Sequence, residues 1–171
     1  PDRWFGWYAE TAIFTEPFAI PGSSARGTVH AARPAVGIRS HRDLRAWQQA
    51  DAIRRRVVEL CAQPEVKRDF GFCDQADRAA ASACRNLAEG FSRYRHPDFA
   101  RFVTIARASL GELLDSLDEA LAKHYVDRRQ FEDLDQAIRK AMASANALRR
   151  YLHHSPTPKE HLSRPVTPPR K

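Results

Sequence analysis

The chain is poor in the residues that build disulfide-stapled, zinc-binding or membrane-spanning proteins. Only three of its 171 residues are cysteines. Cys61, Cys73 and Cys84 form no C-x-x-C pair, so neither a disulfide framework nor a four-ligand zinc site is expected. No apolar run reaches the roughly 18 residues that a membrane helix needs, and the first residues lack the basic and apolar regions of a secretory signal. These absences predict a protein of the reducing cytoplasm without a membrane segment.

Motifs that mark common catalytic sites are also missing. The sequence contains no glycine-rich phosphate loop, no G-x-S-x-G elbow and no HExxH zinc motif. It also lacks the Glu-x-x-His repeats that hold two metal ions inside some helical bundles. The sequence therefore predicts no catalytic residue, no cofactor, no metal and no small-molecule substrate, and we expect a protein that is not an enzyme.

Proline is scarce in the middle of the chain and concentrated at its two ends. Of eleven prolines, only Pro64 and Pro97 lie between residues 41 and 153. Because proline interrupts regular helices, this distribution divides the chain into a helical domain at 41–153 and two extensions. The segment 154–171 is a basic, proline-rich tail that cannot bury enough apolar surface to fold, so we expect it to be disordered.

The first 40 residues show neither helical nor alternating periodicity, although they are rich in aromatic residues. We interpret residues 1–40 as a poorly ordered extension. A second interpretation stays open, because the aromatic cluster between Trp4 and Tyr8 could serve as a docking arm.

Positive charge exceeds negative charge, but it is spread unevenly. The formal net charge is +7, and more than half of it belongs to the two extensions. A mildly basic domain is more often a matter of solubility than of nucleic-acid binding. Arginine greatly outnumbers lysine, however, and its planar guanidinium group favours phosphate recognition.

Apolar residues recur at helical spacing in four segments separated by short polar connections. The predicted helices cover residues 42–62, 70–95, 97–124 and 128–153. Ser40 and Asp127 are suitable N-terminal capping residues, the latter with Gln130 in a capping box. The sequence thus predicts an all-α fold, an antiparallel up-down-up-down four-helix bundle with disordered N- and C-terminal extensions.

The second helix carries two adjacent stripes, and the rest of the chain is organised around them. One stripe is small and apolar: Phe72, Ala76, Ala79, Ala83, Leu87 and Gly90. The other, which we call the polar seam, is formed by Gln75, Arg78, Ser82, Asn86 and Glu89, with Ser109 and Glu112 of the third helix beside it. Small residues allow helices to approach closely, whereas covered polar groups need partners.

The polar seam has three interpretations. We favour an internal network, in which Arg78 pairs with Glu112 or Glu89 while the hydroxyl and amide groups fix the register of the helices. The seam could instead be a subunit interface, or it could contact nucleic acid directly.

The same segment resembles a known family. The pattern FG-x-x-x-Q-x-x-RAA-x-S-x-x-x-N-x-AEG-x-x-R, from Phe70 to Arg93, is similar to that of the four-helix-bundle proteins encoded in intervening sequences of 23S ribosomal RNA genes. The resemblance continues in HRDLRAWQQA before this pattern and in residues 99–113 after it. It departs from the family at Ala83 and Cys84, where an Ile-Pro pair is usual.

The resemblance implies a bacterial, homopentameric protein with the bundles arranged in a ring. It also implies a relation to the accessory variability protein of diversity-generating retroelements, a basic pentamer that works with reverse transcriptase and RNA. The resulting hypothesis is a homo-oligomeric scaffold that binds structured RNA or a nucleoprotein partner through basic residues at its rim. The candidate nucleic-acid contacts are Arg54, Arg55, Arg93 and Arg95. The alternative is a protein–protein interaction module with no nucleic-acid role, whose excess charge serves solubility.

Overall fold

The computed structural model describes residues 38–93 and 95–155, and within them the predicted all-α, four-helix class is confirmed. The predicted extensions lie almost wholly outside these residues. Within these residues, a 3₁₀ turn at His41–Asp43 precedes four helices: α1 (Arg45–Cys61), α2 (Phe70–Phe91), α3 (His96–Ala122) and α4 (Arg128–His154). No strand occurs in the described part of the chain.

Two helix ends differ from the prediction. Ser40 caps as expected, with its hydroxyl accepting from the Arg42 amide at 3.2 Å, but it caps the 3₁₀ turn, and α1 begins only at Arg45. Helix α2 ends at Phe91 rather than near residue 95. At this end, the Ser92 hydroxyl donates to the Glu89 carbonyl in the last turn of the helix. Pro97 is therefore not the residue that ends α2, which stops six residues earlier.

The start of α4 agrees with its sequence signature. Asp127 accepts from the Gln130 amide at 2.7 Å, and the Gln130 side chain accepts from the Asp127 amide at 2.9 Å. This reciprocal pair is the predicted capping box, and it satisfies two backbone donors that the helix itself leaves free.

The small apolar stripe of α2 lies in the core. All six of its residues are buried (Phe72, Ala76, Ala79, Ala83, Leu87 and Gly90), and α2 packs extensively on α3. Their small size allows the close approach that the stripe predicted.

Two contacts connect the ends of neighbouring helices. The Phe91 and Phe99 rings meet edge to face with centroids 6.3 Å apart. At the far end of α4, the Ser155 carbonyl lies 3.0 Å from His96 Nδ1 at the start of α3. These contacts are consistent with a helical bundle, and the antiparallel up-down-up-down arrangement stays a prediction.

The carboxylate of Asp69 forms hydrogen bonds at the start of α2 and with residues that follow α3. Asp69 caps α2 by accepting from the Phe72 amide at 3.1 Å, and its other oxygen accepts from Lys123 Nζ at 2.6 Å and the Tyr125 hydroxyl at 3.0 Å. The hydrogen bond from Lys123, followed by those from Phe72 and Tyr125, lowers the pKa of Asp69 to about 2. This cluster links the loop before α2 to the connection that follows α3.

None of the helices in the described residues combines the length and the apolar character that crossing a membrane requires.

Candidate nucleic-acid interface

The polar seam does not act as one network, because its ends face solvent. Gln75, Arg78, Glu89 and Glu112 are exposed. The expectation that Arg78 pairs with Glu112 or Glu89 is wrong: Arg78 Nε donates to Asp74 Oδ1 at 2.8 Å, one turn earlier on the same helix. A partner at this spacing is within reach of an exposed side chain without any contact between helices.

The middle of the seam is a short chain of hydrogen bonds between α2 and α3. Asn86 Nδ2 donates to Ser82 Oγ at 3.1 Å and to the Ser82 carbonyl at 2.8 Å. The Ser82 and Ser109 hydroxyls lie 2.8 Å apart, and Ser109 donates onward to the Ile105 carbonyl at 3.2 Å. Because the Ser109 hydroxyl donates its hydrogen bond to the Ile105 carbonyl, the Ser82 hydroxyl must be the donor in the bond to Ser109. The chain contains no titratable group, so it is suited to fixing the helix register.

Two of the four candidate nucleic-acid contacts are already engaged by a buried acid. Asp51 is only 6 % exposed. It accepts from Arg55 at 2.6 and 3.0 Å and from Arg54 at 3.4 Å. Burial would raise the pKa of Asp51, but the hydrogen bonds and charges of the two arginines outweigh it and lower the pKa. The single carboxylate offsets one of the two positive charges and leaves the other uncompensated.

The other two candidates differ from each other. Arg93 forms an ion pair with Glu89, and its guanidinium group lies over the Phe102 ring at 5.0 Å from the centroid. Arg95 is exposed at the start of α3 and forms no ion pair with a described residue. Of the four arginines, only Arg95 forms no ion pair with a described acid.

A different set of arginines lines an open groove between α3 and α4. The groove has a volume of about 450 Å³ and is lined by Thr104, Arg107, Asn146, Arg149 and Arg150. We call it the arginine groove. Its three arginines form no ion pair within the described part of the chain, and Arg107 and Arg150 are exposed.

The groove is basic because acidic residues are missing from both of its walls. Residues 136–155 of α4 and its end contain no Asp or Glu, and the same holds for residues 99–111 of α3. Where α3 and α4 pack together, their positive charges add without local compensation. These groove residues were not among the predicted contacts, although the long stretch of α4 without acidic residues was a usable signal.

Within residues 38–93 and 95–155, no three histidine, cysteine or acidic side chains come together in a way that could hold a metal ion. The groove offers a ligand guanidinium, amide and hydroxyl groups.

Fold and site define an all-helical protein of four packed helices, with a polar hydrogen-bond chain between two of them and an arginine groove between two others. The model of the 23S rRNA-intervening sequence protein family matches residues 42–147. The match spans more than half of the chain, so the protein belongs to this family, as the motif between Phe70 and Arg93 indicated. A comparison with curated proteins finds no significant match.

Proposed function

We propose that this protein is a non-enzymatic, homo-oligomeric scaffold, pentameric in its assembled form, that binds structured RNA through the arginine groove. The scaffold supplies no chemistry of its own in this proposal. It holds RNA or a nucleoprotein partner by the phosphate backbone.

The uncompensated charge of Arg107, Arg149 and Arg150 is the observation that carries the proposal. Several other exposed arginines face an acid at helical spacing, as Arg78, Arg128 and Arg139 do. Three guanidinium groups without neighbouring acids favour binding of a polyanion. The phosphate backbone of a nucleic acid, with phosphates about 6 to 7 Å apart along one strand, is such a polyanion. Asn146 adds an amide that can reach a base edge or a ribose hydroxyl.

Assembly strengthens this proposal on physical grounds. One groove holds only a few phosphates, and a few contacts give weak binding at physiological salt. In a closed ring the groove is repeated, and RNA held by one groove is at a high effective concentration for the others. The apparent affinity for RNA therefore exceeds that of a single groove.

The test compares two variants with the same change in net charge. The groove variant carries Arg107→Gln, Arg149→Gln and Arg150→Gln, while the control carries Arg78→Gln, Arg128→Gln and Arg139→Gln, three exposed arginines that each pair with an acid. Binding of a fluorescein-labelled RNA hairpin is measured by anisotropy at several salt concentrations.

We expect the groove variant to bind about tenfold more weakly or worse, and its dependence of log affinity on log salt to become shallower by about 2 to 3. The control variant should behave much like the unmodified protein. Equal losses in both variants would mean that only net charge matters, and no binding by the unmodified protein at low salt would overturn the RNA proposal.

The second candidate function is a protein–protein interaction module. Exposed Arg95 and the groove could equally face an acidic protein surface, which presents carboxylates rather than phosphates. Competition decides between the two: polyglutamate should displace the hairpin poorly if the groove is built for RNA, and as well as unlabelled RNA if a protein is its partner.

A further inference from the structure

Two of the three cysteines meet where α1 ends and α2 begins. Cys61 is the last residue of α1, and Cys73 lies in the first turn of α2. The Cys73 thiol donates to the Val66 carbonyl at 3.4 Å and approaches the Cys61 carbonyl at 4.0 Å. The Cys73 sulfur therefore lies beside the backbone of Cys61. Neither side chain is fully buried.

The third cysteine is not a partner for either of them. Cys84 is buried in the core and lies about 16 Å further along α2 than Cys73, given the rise of an α-helix. A disulfide spans a much shorter distance between its Cα atoms. The chain therefore holds one close pair and one isolated thiol.

We propose that Cys61 and Cys73 form an oxidisable dithiol that closes into an intramolecular disulfide and fastens the end of α1 to the start of α2. Glutathione disulfide is a suitable oxidant. One protein thiol, as its thiolate, attacks a sulfur of glutathione disulfide and releases one glutathione; the second protein thiolate then attacks the mixed disulfide and releases another. One protein S–S bond forms, one glutathione S–S bond breaks, and two electrons and two protons pass to the two glutathione molecules.

The surroundings of the pair make the reaction slow at neutral pH. Burial, followed by the neighbouring thiol of Cys73 and the charge of Asp77, raises the pKa of Cys61 to about 12. Because the thiolate is the reactive form, little of Cys61 can react at pH 7, and the rate of closure should rise with pH. The pair is thus expected to stay reduced in brief oxidation and to close on prolonged exposure.

The test uses the full chain incubated with glutathione disulfide at pH 8, alkylated and digested with trypsin. Cleavage after Arg and Lys places the three thiols in three separate peptides, 57–67, 69–78 and 79–85. We expect free thiols to fall from three to one, with peptides 57–67 and 69–78 joined and peptide 79–85 alkylated. The melting temperature of the oxidised protein should rise by roughly 10 °C, since the bond closes a loop of the unfolded chain.

Three single variants provide the controls. Cys84→Ser should leave the cross-link unchanged, whereas Cys61→Ser and Cys73→Ser should each abolish it and leave all remaining thiols free or as glutathione adducts. Separate glutathione adducts on Cys61 and Cys73 of the unmodified protein, three unreacted thiols, or a cross-link between two chains would each overturn the proposal. The peptide map of the unmodified protein decides the matter even if a variant fails to fold.

Discussion

Gly90 lies where α2 faces the aromatic residues of α3, and it leaves no room for a side chain. A Cβ atom built there would come within 2.5 Å of Phe99 Cδ2 and 2.9 Å of Phe102 Cβ. Gly111 of α3 is different, because a Cβ atom there meets no heavy atom within 4 Å. The two glycines therefore allow the same substitution to be tested in a crowded and in an open place.

We expect Gly90→Ala to destabilise the protein by about 1 to 3 kcal/mol, because overpacking outweighs the gain in helix propensity. Gly111→Ala should stabilise it by about 0.5 to 1 kcal/mol, since only the propensity term remains. Urea unfolding followed by circular dichroism measures both. A stable Gly90→Ala variant would mean that α2 and α3 can separate at this point without cost.

Single residues also explain why the polar seam divides. Ser82, Asn86 and Ser109 are short, so they can be satisfied only by atoms that are near them between the helices. Arg78 is long and exposed, and it finds Asp74 in its own helix instead. Side-chain length, rather than position in the stripe, decides which seam residues contribute to packing.

At the scale of whole elements, the Asp69 cluster joins the start of α2 to the connection after α3. The pKa of Asp69 falls to about 2, chiefly because Lys123 hydrogen-bonds to the charged carboxylate, whereas its ordinary value is 3.8. A carboxyl group whose pKa is lower in the folded state stabilises that state above its unfolded pKa. This contribution is present above about pH 4 and is lost as the pH falls towards 2.

We expect Asp69→Asn to lower the melting temperature at pH 7, because Asn keeps the helix cap but loses the charge that faces Lys123. The difference in melting temperature from the unmodified protein should narrow below pH 4 and disappear below about pH 2. Asp74→Asn is the matched control: its carboxylate pairs only with exposed Arg78, so its melting temperature should hardly change at either pH. If Asp69→Asn lowered the melting temperature by the same amount at every pH, the ionic contacts of Asp69 would contribute nothing to stability.

At the scale of the whole molecule, three arginines that form no ion pair with a described acid are gathered between α3 and α4, whereas Arg55, Arg78 and Arg139 each pair with an acid on their own helix. This arrangement separates two properties that can be measured together. In the proposed function, assembly depends on surfaces that pack, whereas RNA binding depends on the groove.

We expect native mass spectra of the protein, purified without nuclease, to show a pentamer that carries RNA. The groove variant with Arg107, Arg149 and Arg150 replaced by Gln should stay pentameric and lose the RNA, since the substitutions are outside the buried core. A clean pentamer from the unmodified protein would favour the protein-interaction role, and a monomer would refute the proposed assembly.

The sequence by itself determined the four helices, the capping box of α4, the buried stripe of α2 and the family. These follow from local spacing, because helical periodicity and capping act over a few neighbouring residues. The pairing of Arg78 with Asp74 was also local and could have been found by the same rule.

Tertiary structure alone decided the arginine groove, the link between Ser82 and Ser109 and the meeting of the two thiols. Each joins residues on different helices, and whether they meet depends on the rotation and register with which the helices pack. Arg107 and Arg149 are far apart in the chain, and each by itself is an ordinary surface arginine. Only the packing of α3 on α4 brings them to the same groove, where no acid stands between them.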